Sequence, residues 1–186
     1  MKMSIKTMCV IAIMTAVICV VSPFSIPIPG VVPISLGTLG VYIASSLLGA
    51  KKGFIAVLLY LIIGAIGLPV FAQFTGGVSI IAGPTGGYMV GYLLMALLTG
   101  WFTDHSNNIV WKISLGMVLG TLACYLLGTI WLAYTMKLDL IAALWAGVIP
   151  FIPGDIVKIV LSVSLAKVLR PQLSRFLSST QKTTAV

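Results

Sequence analysis

From residue 4 to residue 169 the chain is a series of apolar runs, broken only at Pro-rich, Gly-rich or basic points. Most runs approach the length that crosses a bilayer, about 20 residues per helix and about 17 at the short end. Six spans are predicted, over 4–21, 34–50, 54–68, 84–102, 109–134 and 154–169, the third of them short. Of all residues, 60% are hydrophobic and 8% charged, where soluble domains carry roughly 25% charge; the mean hydropathy is +1.18. The expected fold is therefore an all-α membrane protein, a single integral domain over 1–186 with six transmembrane helices.

Lys2 and Lys6 followed by an apolar run resemble the start of a secretory signal. The run leads into VSPFSIPIPG rather than a small-x-small cleavage site, so it is read as a retained first helix. Pro23, Pro27, Pro29 and Pro33 exclude regular helix from the connection that follows. A Gly-rich connection, 69–83, precedes the fourth span. Lys2, Lys6, Lys51, Lys52, Lys112, Lys167, Arg170, Arg175 and Lys182 fall on the side that holds the N-terminus, against Lys137 alone on the other. This asymmetry puts both termini in the cytoplasm. It also places the Pro-rich loop, the Gly-rich segment and the segment PFIPGD together on the outer side, where irregular backbone at membrane depth must be buried or line a cavity. The net charge of +8 does not imply nucleic acid, because the basic residues sit at the ends of apolar runs and form no recognition patch. Cys9, Cys19 and Cys124 stand singly in apolar stretches and are expected to be buried thiols, with no metal site.

Two features are not explained by crossing a membrane. The first is Asp155 and Lys158, which share a helix face at i and i+3, in a chain with three acidic residues in all. A charge at mid-bilayer costs about 2.5–3.5 kcal/mol on insertion scales. The pair either neutralises itself near a helix N-terminus, with Lys158 free to snorkel outward, or presents an acceptor and a cation to a polar ligand. The second feature is GGVSIIAGPTGGYMVG, residues 76–91. Pro84 suits a first helical turn, and Thr85, Gly86 and Gly87 would then expose N–H groups able to hold an anion. Gly87 and Gly91 equally form a GxxxG packing surface, as do Gly116 and Gly120. The P-loop lysine is missing, so ATP hydrolysis is excluded. His105 lies in a polar turn, and no nucleophile–base set or metal-binding helix appears, so no enzyme activity and no cofactor are expected.

GGVSIIAGPTGGYMVGYLLMA and the set Pro150, Phe151, Asp155, Lys158 closely resemble the signatures of the BioY family, the biotin-binding S components of energy-coupling-factor transporters. The resemblance spans essentially the whole chain. It implies biotin as transported ligand, a T component and two ATPase subunits as partners, and docking of those partners on the first helix through Ala12 and Ala16. It implies a location in the bacterial cytoplasmic membrane, among membrane lipid. Carried onto this sequence, the substrate set is Asp155, Lys158, Gly77, Ser79, Gly83, Thr85, Gly86, Gly87, Tyr88, Phe151, Gln73 and Phe74. Asp155 would accept from the ureido ring, Lys158 would orient Asp155 or donate to the carbonyl, and the carboxylate would lie toward the Gly-rich segment; the reverse orientation stays open. Phe71 is a further candidate to flank the rings. Pro23, Phe24, Ile26, Ile28 and Gly30 are expected to form a lid. The alternative function is a self-sufficient secondary transporter of a small anionic metabolite, in which Asp155 would carry a coupling proton.

Overall fold

The structure is a computed structural model and describes residues 4–27 and 32–178. The apolar runs become helices, several of them continuing through glycines. They are Ile5–Val21 (α1), Gly37–Leu48 (α2), Ala50–Ala65 (α3), Val78–Ala82 (α4), Gly86–Asp104 (α5), Val110–Met136 (α6), Leu140–Gly147 (α7) and Ile152–Ser178 (α8). By length and composition, α6 and the stretch of α7 and α8 suffice to cross a membrane, and α1 and α2 are shorter apolar helices. Local signals set the ends. Ser4 caps α1 by accepting from the Thr7 N–H at 3.3 Å. Lys137, with φ 53°, ends α6 in the left-handed conformation that helix C-termini favour.

The junction of the second and third helices differs from the sequence expectation. The break falls at Gly49, not at Lys51–Lys52, and both lysines lie in the first turn of α3. Gly49 has φ +80°, and a side chain there would strike the Asp104 carboxylate. That carboxylate accepts from the Ala50 N–H at 3.0 Å and pairs with Arg170 at 2.8 Å. A distant acid thus caps a helix whose first turn is basic, which its dipole disfavours. Asp104, read from sequence only as part of a polar turn, joins α3, α5 and α8. Helix α8 runs on past the predicted end of the sixth span and through Pro171. Pro171 has no N–H for the carbonyl of Lys167, and the Asn108 Nδ2 donates to that oxygen instead, at 3.4 Å.

Helix α5 forms the centre, packed against α2, α3 and, most closely, α6. The two GxxxG pairs meet in this last contact. Gly87 and Gly91 of α5 face Trp131 and Cys124 of α6, and Gly116 and Gly120 of α6 face Phe102 and Met95 of α5. Backbones approach closely because no Cβ intervenes. The core holds Tyr42, Tyr60, Phe71, Met95, Ile113 and Met117, all buried. Leu122, Leu126, Ile130, Ile156 and Val160 point outward, as expected of a bilayer-facing surface. Cys124 is buried as expected; Cys19 is partly buried, and Cys9 lies exposed on α1 because it faces away from α2 and α3.

Candidate functional site

Among the described residues, the Pro-rich connection forms no helix. Ser25–Ile26 (β1) and Ile34–Ser35 (β2) pair antiparallel, with Ser25 opposite Ser35. This hairpin is tied at both edges. The Gln73 N–H donates to Pro23 O at 3.0 Å, and the Val32 N–H to Ala146 O at 3.2 Å. The Pro-rich, Gly-rich and PFIPGD segments therefore meet at one end of the helical bundle. Beneath them are two adjoining compartments. The inner one has about 410 Å3, counting space open to solvent, and is lined by Ser35, Thr38, Tyr88, Tyr92, Tyr125, Phe151, Asp155 and Lys158, among others. The outer one has about 700 Å3, counting space open to solvent, and includes Gln73, Thr75, Thr85, Tyr60 and Ile80. Val32, Pro33, Ser35, Tyr88 and Tyr92 line both.

Asp155 and Lys158 form an ion pair at 3.0 Å on the inner wall, 4% and 6% exposed. Two unpaired charges would not be tolerated at this burial, and the surroundings satisfy both. The Lys158 ammonium donates to Ser35 O at 2.8 Å and to Thr38 Oγ1 and Asp155 Oδ1, each at 3.0 Å. The Thr38 hydroxyl in turn donates to Asp155 Oδ1 at 3.4 Å. The Tyr125 hydroxyl donates to Asp155 Oδ2 at 2.5 Å. All three ammonium protons are used, whereas the carboxylate, with about four acceptor positions, keeps capacity on Oδ2. The exposed-to-cavity character of the pair is thus that of an acceptor. Snorkelling of Lys158 does not occur; its side chain turns inward to the root of the hairpin.

Tyr88 and Phe151 line the inner compartment, and Gln73, Thr85 and Tyr88 the outer one. The remaining predicted residues lie elsewhere. Gly86 and Gly87 are covered by Ile81 of α4 and by Trp131 and Leu127 of α6. The anion nest expected there is partly filled by the chain itself, since the Gly86 N–H bonds to Gly83 O at 3.0 Å and Tyr88 N–H to Thr85 O at 3.1 Å. Gly83 O also accepts from Trp131 Nε1 at 2.9 Å. Gly77, with φ +104°, donates its N–H to Gly64 O at 2.7 Å and starts α4; Ser79 is exposed. Phe74 is exposed and stacks edge-on against Phe24, ring centroids 5.6 Å apart. Phe71, fully buried against Tyr60 and Gly64, flanks no compartment, because the glycine leaves a slot its ring fills. Of the lid residues, Pro23 is buried and Ile26 exposed; Ile28 and Gly30 lie outside the described residues. Ala12 and Ala16 are on the exposed face of α1.

Thr38, Ser35 and Tyr125 were not anticipated. Their only signal is a hydroxyl within an apolar run, and Ser114 and Thr135 of α6 give the same signal while bonding back to their own helix.

A model of the BioY family matches residues 1–175. The chain belongs to the BioY family. Among BioY relatives, the biotin transporter BioY2 of Lactococcus lactis is 37% identical over 172 residues, 92% of either chain. The biotin transporter BioY of Thermotoga maritima is 38% identical over 154 residues, 83% of this chain and 89% of its own. In three dimensions the chain is similar to the S-component for biotin from an ECF-type ABC transporter, solved at 2.1 Å, with a TM-score of 0.84 and 32% identity over 91% of this chain and 95% of that one. The BioY fold thus extends over the compartments just described.

Proposed function

We propose that this BioY-family protein is the substrate-binding S component of an energy-coupling-factor transporter, and that it captures biotin from the outer face of the bacterial cytoplasmic membrane. The observation that carries the reading is the buried Asp155–Lys158 pair on the wall of a cavity, its ammonium fully hydrogen-bonded and its carboxylate keeping an acceptor position on Oδ2, in a chain that follows a biotin S component over 91% of its length. The ureido ring donates N–H to Asp155 Oδ2, the atom with spare acceptor capacity, and Phe151 and Tyr88 flank the bicycle. Lys158, with no free proton, acts as a positioning residue for Asp155. The tail extends toward Thr85 and Gln73 in the outer compartment. Both termini are cytoplasmic, in keeping with the basic residues. Transport draws on a T component and two ATPase subunits, which dock on the exposed Ala12–Ala16 face of α1, where small side chains allow a partner helix close approach.

The test is a biotin titration of the purified protein in lipid nanodiscs. Saturable, stoichiometric binding supports the reading; no binding at millimolar biotin would exclude it.

A further inference from the structure

Among the described residues that line the two compartments, Lys158 is the single cation. Its protons are committed to Ser35 O, Thr38 Oγ1 and Asp155 Oδ1. Residues Ile28, Pro29, Gly30 and Val31 of the hairpin connection bring no ionisable side chain. The described residues of the outer compartment offer a ligand tail neutral dipoles, among them the Gln73 amide and the hydroxyls of Thr85, Tyr60 and Tyr92. The Thr75 hydroxyl is already spent on Ala72 O at 2.8 Å. The start of α5 adds little charge selectivity, because the Gly86, Tyr88 and Met89 N–H groups bond to Gly83 and Thr85 carbonyls. A helix N-terminus favours an exposed anion by about twofold to fivefold. A direct cation–carboxylate hydrogen bond would favour it by about tenfold to a hundredfold.

We propose that this protein does not require a charged tail, and that its ligand class is biotin together with neutral tail derivatives ending in a carboxamide. Recognition then resides in the ureido ring at Asp155, and a carboxamide, nearly the same shape as a carboxylate, meets dipoles that serve either group. The outer compartment is the larger of the two, so the exchange of an oxygen for an NH2 group is not opposed by sterics. This inference rests on the biotin reading above.

Calorimetric titration of the wild-type protein in nanodiscs with biotin and with biotinamide tests it. Biotinamide is expected to bind within about fivefold of biotin, to compete with it, and to lose affinity by the same factor as biotin in Asp155→Asn. Biotin binding with biotinamide weaker by more than that factor overturns the inference alone and points to a cation at the tail. Unequal losses for the two ligands in Asp155→Asn overturn it as well, since they would place the two rings differently. Absence of biotin binding itself overturns the function reading, and this inference with it.

Discussion

Asp155 is fixed by donors from three helices: Lys158 on its own helix, Thr38 on α2 and Tyr125 on α6. Such a carboxylate is expected to be rigid, and its affinity for a ligand depends on that rigidity as well as on its charge. Asp155→Asn keeps the shape but makes one arm a donor facing Lys158 or Tyr125. It should weaken biotin binding by more than about 1.4 kcal/mol, a factor of about ten, with helical content retained. Lys158→Ala should weaken binding by at least as much and also lower the melting temperature. It leaves Asp155 buried without its counterion and Ser35 O without a donor, a kind of loss that costs about 3–5 kcal/mol. Wild-type affinity in both variants would remove the pair from the site; an unchanged melting temperature in Lys158→Ala would show that water enters to replace the ammonium.

Elements meet here through glycine and through borrowed caps. A Cβ on Gly91 would stand 2.8 Å from Cys124 Sγ, and one on Gly87 would overlap Trp131 and approach Leu127 O to 2.8 Å. Gly87→Ala must push α5 from α6, and overpacking of this kind costs about 1–3 kcal/mol. Chemical denaturation in detergent should show that loss, with the larger consequence at Trp131, whose fluorescence should shift as its bond to Gly83 stretches. Unchanged stability would mean that the close α5–α6 contact is not a fixed feature. On α1, Ala12→Trp with Ala16→Trp adds bulk to an exposed face. Biotin binding should persist while association with T component and ATPases is lost in co-purification. Assembly at wild-type yield would move the docking face elsewhere.

At the scale of the whole molecule, the hairpin and the Gly-rich segment close one end of the bundle. Among the described residues, bonds that anchor the hairpin include Gln73 to Pro23 and Ser25, Ser35 to Ser22, Val32 to Ala146 and Lys158 to Ser35. The Lys158–Ser35 bond ties the hairpin root to the ion pair, so cavity occupancy and hairpin position share a residue. A ligand buried to about 70–90%, as in most small-molecule sites, needs an opening, and the hairpin lies over the compartments. A spin label at Ile26 should lose mobility when biotin is added. Equal spectra with and without biotin would transfer the gate to residues 69–83.

How much of this was legible in the chain divides along sequence distance. Apolar runs specified the long helices, because a buried or lipid-facing helix needs little more than a sufficient length of apolar sequence. The i, i+3 spacing of Asp155 and Lys158 fixed that they face one way, since helix geometry is local. The four prolines between residues 23 and 33 excluded helix for an equally local reason. What the tertiary structure alone decided are the partners. Thr38 meets Asp155 across 117 residues and Ser35 meets Lys158 across 123; no periodicity carries that information. The Gly86–Gly87 pattern fits an anion nest and a packing surface equally, and Trp131 of α6 determined how much of it is packing. Asp104, next to His105 of the polar turn, gains its role only because the start of α3 lies beside it. Each of these outcomes depends on which helix faces are pressed together, and that is settled by the collective packing of the bundle rather than by any one segment.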